Sequence, residues 1–379
     1  MEKLFMNKQK IFIMLLFVSL VGFCFEDNNK NKNKNFSVGA LYLLASNSNC
    51  SLMGGSMQGS GCTLNLSGTV TSLTARFQET SGITTDGTNL FIADTLNHTI
   101  NKVVISSGAA TTLAGTAGTS GTTNGTGTSA QFFFMFPNAI TTDGTNLYVA
   151  DSGNHTIRKI VISSGVVTTL AGTAGSYGTT DETGTSAKFR FPTGITTDGT
   201  NLYVADTQNA TIRKIVISSG VVTTLAGIAS SSGTVDGTGT SAQFNQPSGI
   251  TTDGTNVYVA DTFNYTIRKV VISTGVVTTI AGTTGSSGTT DGTGTSAKFN
   301  RPYGITTDGT NLYVSDTFNY TIRKVVISTG AVTTLAGTTG TSGIASGTGT
   351  SAQFYKPFYL TTDGTSLYVT DYDRIRKIQ

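Results

Sequence analysis

The feature that most constrains this sequence is a unit that recurs six times along it. Each copy carries the motif Thr-Thr-Asp-Gly, and successive motifs are 57 residues apart once and then 55 residues apart four times. The six motif aspartates are Asp86, Asp143, Asp198, Asp253, Asp308 and Asp363. Six copies at a nearly fixed period are typical of a solenoid, a propeller or an array of domains. The fold must therefore follow from what one unit can form.

Each unit alternates short runs of β-branched and aromatic residues with turn residues. The copy from Gly249 to Gly282 has the sequence GITTDGTNVYVADTFNYTIRKVVISTGVVTTIAG. The pattern indicates four short strands, and the Asp-Gly and Ser-Gly pairs of the units supply the positive φ angles of tight hairpin turns. One such sheet cannot bury both of its faces, whereas several sheets stacked radially can. The sequence therefore predicts an all-β, six-bladed β-propeller of four-stranded antiparallel blades.

The two ends of the repeat array are complementary. The last unit has no copy of the VVTTLAG strand after Arg374–Ile378, and a matching stretch, SGTVTSL, precedes the first unit at Ser67–Leu73. Pairing this stretch with the last unit gives six complete blades and removes the edge that an open ring would expose. We therefore predict that an N-terminal strand completes the last blade and closes the ring.

The repeats resemble the NHL-repeat family of six-bladed propellers. The copy that carries the resemblance best is AKFRFPTGITTDGTNLYVADTQNATIRKIVISSGVVTTLAG, from Ala187 to Gly227, and the resemblance extends from about Gly68 to the end of the chain. It implies a propeller that binds ligands or partners. Because the family has no single function, the function must be argued from a site.

The first 23 residues have the pattern of a bacterial export signal, since three lysines precede an apolar run from Ile11 to Phe23. The run is short for a membrane span. The sequence LVGFC, which ends at Cys24, resembles the lipobox of bacterial lipoproteins, and this implies that Cys24 is lipidated, although Phe23 stands where the lipobox has a small residue. A signal cleaved elsewhere and an uncleaved anchor are the alternatives.

Residues 24–64 are predicted to connect this anchor to the propeller at 65–379. They begin with the polar run FEDNNKNKNKN, which suits a disordered tether. Cys50 and Cys62 flank a Gly/Ser loop, and in an exported chain we expect a disulfide between them rather than a metal site. The predicted location is the bacterial cell envelope, with a lipid anchor on the outer-membrane, periplasmic or surface side, or secretion; we expect a monomer.

The charge balance argues against a nucleic-acid partner. Six of the 24 Lys and Arg residues and three of the 21 Asp and Glu residues precede Asn65, so the predicted propeller carries 18 charges of each sign. Nucleic-acid-binding domains normally show a basic face. We therefore predict that no nucleic acid binds.

The repeated charged residues are predicted to be structural rather than catalytic. The motif aspartates suit turns better than a carboxylate ring around a cation, and the aspartates that end the YVAD runs suit hydrogen bonds that brace loops. A third series, Asp181, Asp236 and Asp291, gives too few carboxylates per loop for a calcium site. His98 and His155 could form a two-histidine metal site, but exposed neutral histidines are the favoured interpretation. We predict no catalytic residue, cofactor or metal.

The repeats differ mainly on one face of the predicted ring, which we call the loop face. It carries the DTxN loops and the long loops that precede the prolines, whereas the opposite, turn face carries the DGTN and SSG turns. Aromatic and basic residues gather on the loop face in blades 4–6, and this composition is typical of binding surfaces. The predicted partner-binding residues are Phe263, Tyr265, Arg301, Tyr303, Phe318, Tyr320, Lys356 and Phe358.

These patterns favour a non-catalytic binding module for a protein or glycan partner. The rings would anchor the partner, with Arg301 and Lys356 as charges at the rim. One alternative at the level of packing is that some of the rings form a satellite cluster beneath the loops. Two alternative functions are a metal-dependent hydrolase or lyase with a site in the channel, and a purely structural envelope protein.

Overall fold

Six antiparallel sheets are arranged radially in a computed structural model of the chain, and their inner strands contact one another in a closed ring. The structure describes residues 50–58, 62–135 and 138–379. This confirms the predicted all-β, six-bladed propeller. The export signal and Cys24 lie outside the described residues, so the predicted cleavage and lipidation stay predictions. Within the described residues, no helix has the length and apolar character needed to span a bilayer.

Each blade runs from an inner strand outward in an up-and-down meander. In chain order the strands are β1 (Ser51–Met53), β2 (Ser56–Gln58), β3 (Thr69–Arg76), β4 (Thr80–Thr85), β5 (Asn89–Asp94), β6 (Thr99–Val104), β7 (Ala110–Ala114), β8 (Gly125–Thr126), β9 (Ile140–Thr142), β10 (Asn146–Asp151), β11 (Thr156–Val161), β12 (Val166–Ala171), β13 (Pro192–Thr197), β14 (Asn201–Asp206), β15 (Thr211–Val216), β16 (Val222–Ala226), β17 (Gly237–Thr238), β18 (Pro247–Thr252), β19 (Asn256–Asp261), β20 (Thr266–Val271), β21 (Val276–Ala281), β22 (Gly292–Thr293), β23 (Pro302–Thr307), β24 (Asn311–Asp316), β25 (Thr321–Val326), β26 (Ala331–Ala336), β27 (Gly347–Thr348), β28 (Pro357–Thr362), β29 (Leu367–Asp371) and β30 (Arg374–Ile378). The short 3-10 helices are η1 (Gly127–Ser129), η2 (Ser152–Asn154), η3 (Gly184–Ser186), η4 (Thr207–Asn209), η5 (Gly239–Ser241), η6 (Gly294–Ser296), η7 (Thr317–Asn319) and η8 (Gly349–Ser351).

The inner strands of blades 1 to 6 are β4, β9, β13, β18, β23 and β28. Blades 1 and 3 have four strands, whereas blades 2, 4, 5 and 6 each gain a two-residue fifth strand at the outer edge. In blade 2 this strand pairs Thr126 with Val166. The extra strand arises because each long loop follows the outer edge of the next blade before it turns inward.

The motif aspartates build the hairpin turns on the turn face. In blade 4, Oδ1 of Asp253 accepts hydrogen bonds from the backbone N–H groups of Thr255 (2.8 Å) and Asn256 (2.7 Å), and Gly254 has a φ of 88°. Oδ2 of Asp253 accepts a hydrogen bond from the hydroxyl of Tyr258 at 2.8 Å. The predicted turn role of the motif aspartates is therefore confirmed.

A buried arginine attaches the long loop to its blade. In blade 4, Nη1 of Arg268 lies 2.8 Å from Oδ2 of Asp261, and Nη2 lies 2.7 Å from Oδ1 of Asp236 in the loop. The guanidinium also lies 5.1 Å from the ring centroid of Phe244. The buried pairs in five blades are Asp151–Arg158, Asp206–Arg213, Asp261–Arg268, Asp316–Arg323 and Asp371–Arg376. The predicted loop-bracing role of these aspartates is confirmed, and blade 1 differs because Asn101 replaces the arginine.

Blade 6 combines β3, which precedes the first repeat, with strands from the C-terminal end of the chain. Strand β3 lies between β30 and the short strand β27, so that Val70 is paired with Ile378 on one side and with Gly347 on the other. The backbone N–H of Thr69 donates to the carbonyl oxygen of Gln379, and the N–H of Gln379 donates in return to the oxygen of Thr69, both at 3.0 Å. The outer half of this blade therefore depends on a contact between residues about 300 positions apart in sequence.

A hairpin of β1 and β2 occupies the turn-face mouth of the central channel, within the stretch predicted to be a tether and linker. Cys50 and Cys62 form a disulfide at its base, with their Cα atoms 5.8 Å apart. At its tip, Gly54 N–H donates to the carbonyl oxygen of Thr142 in blade 2, and Gly55 accepts from Thr362 N–H in blade 6, both at 3.0 Å. Other hairpin bonds reach Thr197, Thr251 and Thr306 in blades 3, 4 and 5. A hairpin bonded to five of the inner strands must lie on the ring axis, so it plugs the channel.

The plug predicts an unequal effect of two glycine substitutions. Gly55 and Gly118 both have φ near 70°, but a Cβ at Gly55 would collide with Oγ1 of Thr361, whereas nothing lies within 4 Å of a Cβ at Gly118. We expect Gly55→Ala to lower the free energy of unfolding by about 1–3 kcal/mol more than Gly118→Ala, because overpacking is added to the same backbone strain. Denaturant unfolding monitored by circular dichroism measures the difference. Equal losses would contradict a plug packed in this mouth.

Candidate functional site

The loop face carries a stacked cluster of a cation and two rings in blades 4 and 5. The guanidinium of Arg301 lies 4.6 Å from the ring centroid of Phe263 and 4.9 Å from that of Phe318. Phe318 is 44% exposed, and the other two side chains are half-buried. The structure thus brings together three of the predicted partner-binding residues as one exposed cation–π stack.

Tyr265 and Tyr320 end the DTxN loops of the same two blades. Both have left-handed backbone, with φ of 60° and 59°, and their N–H groups donate to the carbonyl oxygens of Thr262 and Thr317. In blade 3 the equivalent position is Ala210, which is buried. Both tyrosines are half-buried, and their backbone closes the loop.

Tyr303, Lys356 and Phe358 form a second group further toward blade 6. The rings of Tyr303 and Phe358 meet edge to face at 5.8 Å, and Nζ of Lys356 lies 4.8 Å from the Phe358 centroid and 3.4 Å from Oε1 of Glu79. Phe358 is 0% exposed and belongs to the apolar core. Its predicted contact with a partner is therefore wrong, because the chain folds this ring beneath the surface and into the core.

A cavity of about 330 Å³ opens on the loop face and crosses blades 2 to 5. Two of the predicted residues, Phe263 and Tyr303, line it. Its remaining apolar lining consists of Met135 and Phe191. Its polar lining consists of Ser152, Thr193, Thr207, Gln208, Gln246, Ser248 and Thr262. The site is therefore centred nearer blades 3 and 4 than the predicted blades 4–6.

One inner-strand position lines this cavity in blades 3 to 5, and it is polar in some blades and aromatic in others. The residue two positions before the Ile-Thr-Thr or Leu-Thr-Thr of each inner strand is, from blade 1 to blade 6, Ser81, Asn138, Thr193, Ser248, Tyr303 and Phe358. In blades 1 and 3 the hydroxyls bond to those of the DTxN loops, Ser81 with Thr95 at 2.8 Å and Thr193 with Thr207 at 2.6 Å. Tyr303 replaces this arrangement in blade 5 and gives the cavity an aromatic side, whereas Phe358 of blade 6 is buried and does not line it.

Tyr359 closes the channel beneath the cavity. Its hydroxyl lies 3.2 Å from Oγ of Ser248 and 3.4 Å from the carbonyl oxygen of Thr193, so the side chain reaches from blade 6 across to blades 3 and 4. Burial raises the pKa of this tyrosine. Four other blades have glycine at the equivalent position, where the neighbouring inner strand leaves no room for a Cβ. The cavity therefore has a floor and opens only toward the loop face.

The lining residues include no Asp, Glu, His, Lys or Arg. Tyr303 is the ionisable side chain among them, and burial raises its pKa although Arg301 acts in the opposite direction. In the described part of the chain, no three His, Cys, Asp or Glu side chains are grouped so that they could hold a metal ion. The cavity offers hydroxyls, amides and rings, which suit binding rather than acid–base chemistry.

The two histidines serve as hydrogen-bond acceptors in the loops. Nδ1 of His98 accepts from the backbone N–H of Phe134, and Nδ1 of His155 accepts from that of Phe191, both at 3.3 Å. Burial lowers the pKa of each, which keeps the rings neutral and able to accept. The prediction that both are exposed is wrong, because His98 is half-buried and His155 is buried against Phe191.

Comparison with known proteins identifies the family. NHL repeat-containing protein 2 of Homo sapiens is 28% identical to this chain over 293 residues, which cover 68% of the chain and 40% of that protein. The chain is an NHL-repeat β-propeller. No protein-family model matches this NHL propeller. It spans only 40% of the length of its human relative.

Solved structures confirm the fold of the NHL propeller. An auxiliary nutrient binding protein from Bacteroides thetaiotaomicron superposes with a TM-score of 0.60 at 16% identity, over 82% of this chain and 76% of that one. A gluconolactonase from Xanthomonas campestris superposes with a TM-score of 0.53 at 10% identity, over 82% and 88%. These two neighbours show that the fold supports both binding and catalysis, so the function of this chain must be argued from its site.

Sequence reasoning missed the polar part of the NHL propeller's cavity. Gln208 and Gln246 occupy positions that vary between otherwise similar repeats, and Tyr359 stands where four repeats have glycine. These departures from the repeat pattern were the sequence signal for this part of the cavity. They were harder to recognise than the group of aromatic residues in blades 4–6, because each is a single residue in a different blade.

Proposed function

We propose that this NHL propeller is a non-catalytic binding module that holds a protein or glycan partner on its loop face. The observation that carries the proposal is the contrast between the two faces. The turn-face mouth is filled by the β1–β2 hairpin, whereas the loop face carries an open cavity beside the exposed stack of Phe263, Arg301 and Phe318. Aromatic residues and arginine are the side chains that most often dominate binding energy.

Exposed apolar side chains around the cavity support the same proposal. They include Met135, which lines the cavity, and Phe318, which stacks on Arg301 beside it. A partner that covers them would remove apolar surface from water. The clamping of each long loop by a buried arginine keeps the face rigid, so little conformational entropy is lost on binding.

The disulfide between Cys50 and Cys62 supports a location in the cell envelope or outside the cell, because disulfides persist in oxidising compartments. The Bacteroides neighbour is a nutrient binding protein, which agrees with such a location. We propose a monomeric, lipid-anchored or secreted protein.

The alternative of a channel hydrolase or lyase has less support. Such a site needs an open channel lined by ligating or catalytic groups. In the described residues, the hairpin tip fills one mouth and Tyr359 crosses beneath the other. A purely structural envelope protein would require neither the cavity nor the exposed cation–π stack.

Two double variants test the proposal. The purified chain, its loop-face variant Phe263→Ala/Phe318→Ala and its turn-face variant Thr200→Ala/Thr255→Ala are used to capture partners from envelope and extracellular-matrix extracts. We expect the parent and the turn-face variant to retain the same partner and the loop-face variant to lose it, because only the latter removes the stack. Equal melting temperatures control for folding. Capture that is unchanged in both variants, or absent from all three, would refute the proposal.

A further inference from the structure

The cavity has an aromatic side and a polar side. Phe263 and Tyr303 line it from blades 4 and 5, and the exposed amide of Gln208 lies on the blade 3 side. Rings provide flat apolar area, whereas amides both donate and accept hydrogen bonds. A sugar ring has the same two kinds of surface, with apolar C–H groups on its faces and hydroxyls around its rim.

The hydroxyls on the polar side are oriented by bonds to their neighbours. Thr207 Oγ1 donates to the carbonyl oxygen of Pro247 at 2.8 Å, and Thr262 Oγ1 donates to that of Pro302 at 2.7 Å. A hydroxyl that donates to a carbonyl keeps acceptor capacity for another group. The rim therefore presents fixed acceptors, and the two glutamine amides supply donors, as a ligand with several hydroxyls requires.

The lining selects a neutral ligand. No charged side chain lines the cavity, and an ion placed there would lose hydration without a counter-ion. The guanidinium of Arg301 lies beside the cavity but is stacked between Phe263 and Phe318. The volume of about 330 Å³ lies at the lower end of the range for small-molecule sites. Because Tyr359 forms a floor, a long chain cannot pass through.

Backbone strain is concentrated at the same place. Phe191, Gln246 and Arg301 each precede the proline of an inner strand in blades 3, 4 and 5, and have φ of 47°, 50° and 52°. Non-glycine residues seldom adopt this conformation, and such strain gathers at binding sites. Here it fixes the backbone from which Phe191 and Gln246 reach the lining.

We propose that this cavity binds a terminal neutral sugar of a glycan, which enters end-on from the loop face. The aromatic side packs against the C–H face of the sugar, and the hydroxyls and amides bond to its rim. The inference rests on the proposed binding function and narrows the partner to a glycan. A protein partner is treated as an outcome of the test.

The test is fluorescence anisotropy with a panel of neutral oligosaccharides labelled with fluorescein at the reducing end. We expect at least one glucose, mannose, galactose or N-acetylglucosamine oligomer to bind the full chain. Phe263→Ala and Gln208→Ala should each weaken that binding about tenfold, which corresponds to the loss of one good contact. Tyr355→Ala is the matched control, since this exposed loop-face ring does not line the cavity and its loss should leave the affinity unchanged.

Four outcomes would overturn the inference. Equal weakening by Tyr355→Ala would show that the sugar lies outside the cavity. Binding of acidic sugars only, lost in Arg301→Gln, would show that the ligand is charged. Failure of all saccharides, together with capture of a protein on the loop face, would refute the sugar site and leave the proposed function standing. Failure of both saccharides and partner capture would refute the two proposals together.

Discussion

Replacing Val70 with aspartate should lower the free energy of unfolding of the whole propeller by more than about 4 kcal/mol, or abolish its cooperative unfolding. A buried charge without a partner is among the costliest substitutions. Val70 is 0% exposed and packs in the blade 6 core with Tyr313 and Ile378. It lies in the strand that completes the last blade, so the loss should spread around the ring. Urea unfolding followed by circular dichroism measures the effect.

Thr71→Asp is the control for this experiment. Thr71 is the next residue in the same strand, is exposed and is paired with Lys377. We expect it to change the free energy of unfolding by no more than about 0.5 kcal/mol. If Val70→Asp were as mild as Thr71→Asp, the N-terminal strand would not be a necessary part of the ring.

The second large effect is expected from Arg268→Met, which should lower the free energy of unfolding by about 3–5 kcal/mol. This is the usual loss when one partner of a buried ion pair is removed. The carboxylate of Asp261, 0% exposed, would lose its counter-ion. The long loop would also lose the bonds that Arg268 donates to the carbonyl oxygen of Val235 and to Asp236. Lys269→Met, at the neighbouring half-buried position, should have little effect.

The pH dependence of this loss has a defined sign. Burial raises the pKa of Asp261 to about 6, and Arg268 opposes that rise, so the variant should have a still higher pKa in the folded state. A folded protein that binds a proton more readily than the unfolded chain loses stability as the pH rises. The deficit of Arg268→Met relative to the parent should therefore be larger at about pH 8 than at about pH 5. A deficit that grows on acidification would contradict an ionised Asp261 paired with Arg268.

The sequence by itself determined the number of blades, the strands and the chemistry of their turns. These features repeat at a fixed period and depend on local rules, such as the bonds from Asp253 to its own turn. It also identified the loop face as the varying one and brought Phe263, Arg301 and Phe318 into a single hypothesis. The local pattern was sufficient to predict these features because every unit repeats similar strand and turn residues.

Only the tertiary structure decided what meets at the axis of the ring. Ser56 reaches Thr306, 250 residues away, and Tyr359 reaches Thr193, 166 residues away. It is also the tertiary structure that buries Phe358 and moves the cavity toward blades 3 and 4. A repeat pattern specifies how a blade folds and packs on the next blade. Which side chains fill the central channel depends on single residues from different blades and from the preceding hairpin. These residues come together only when the ring closes.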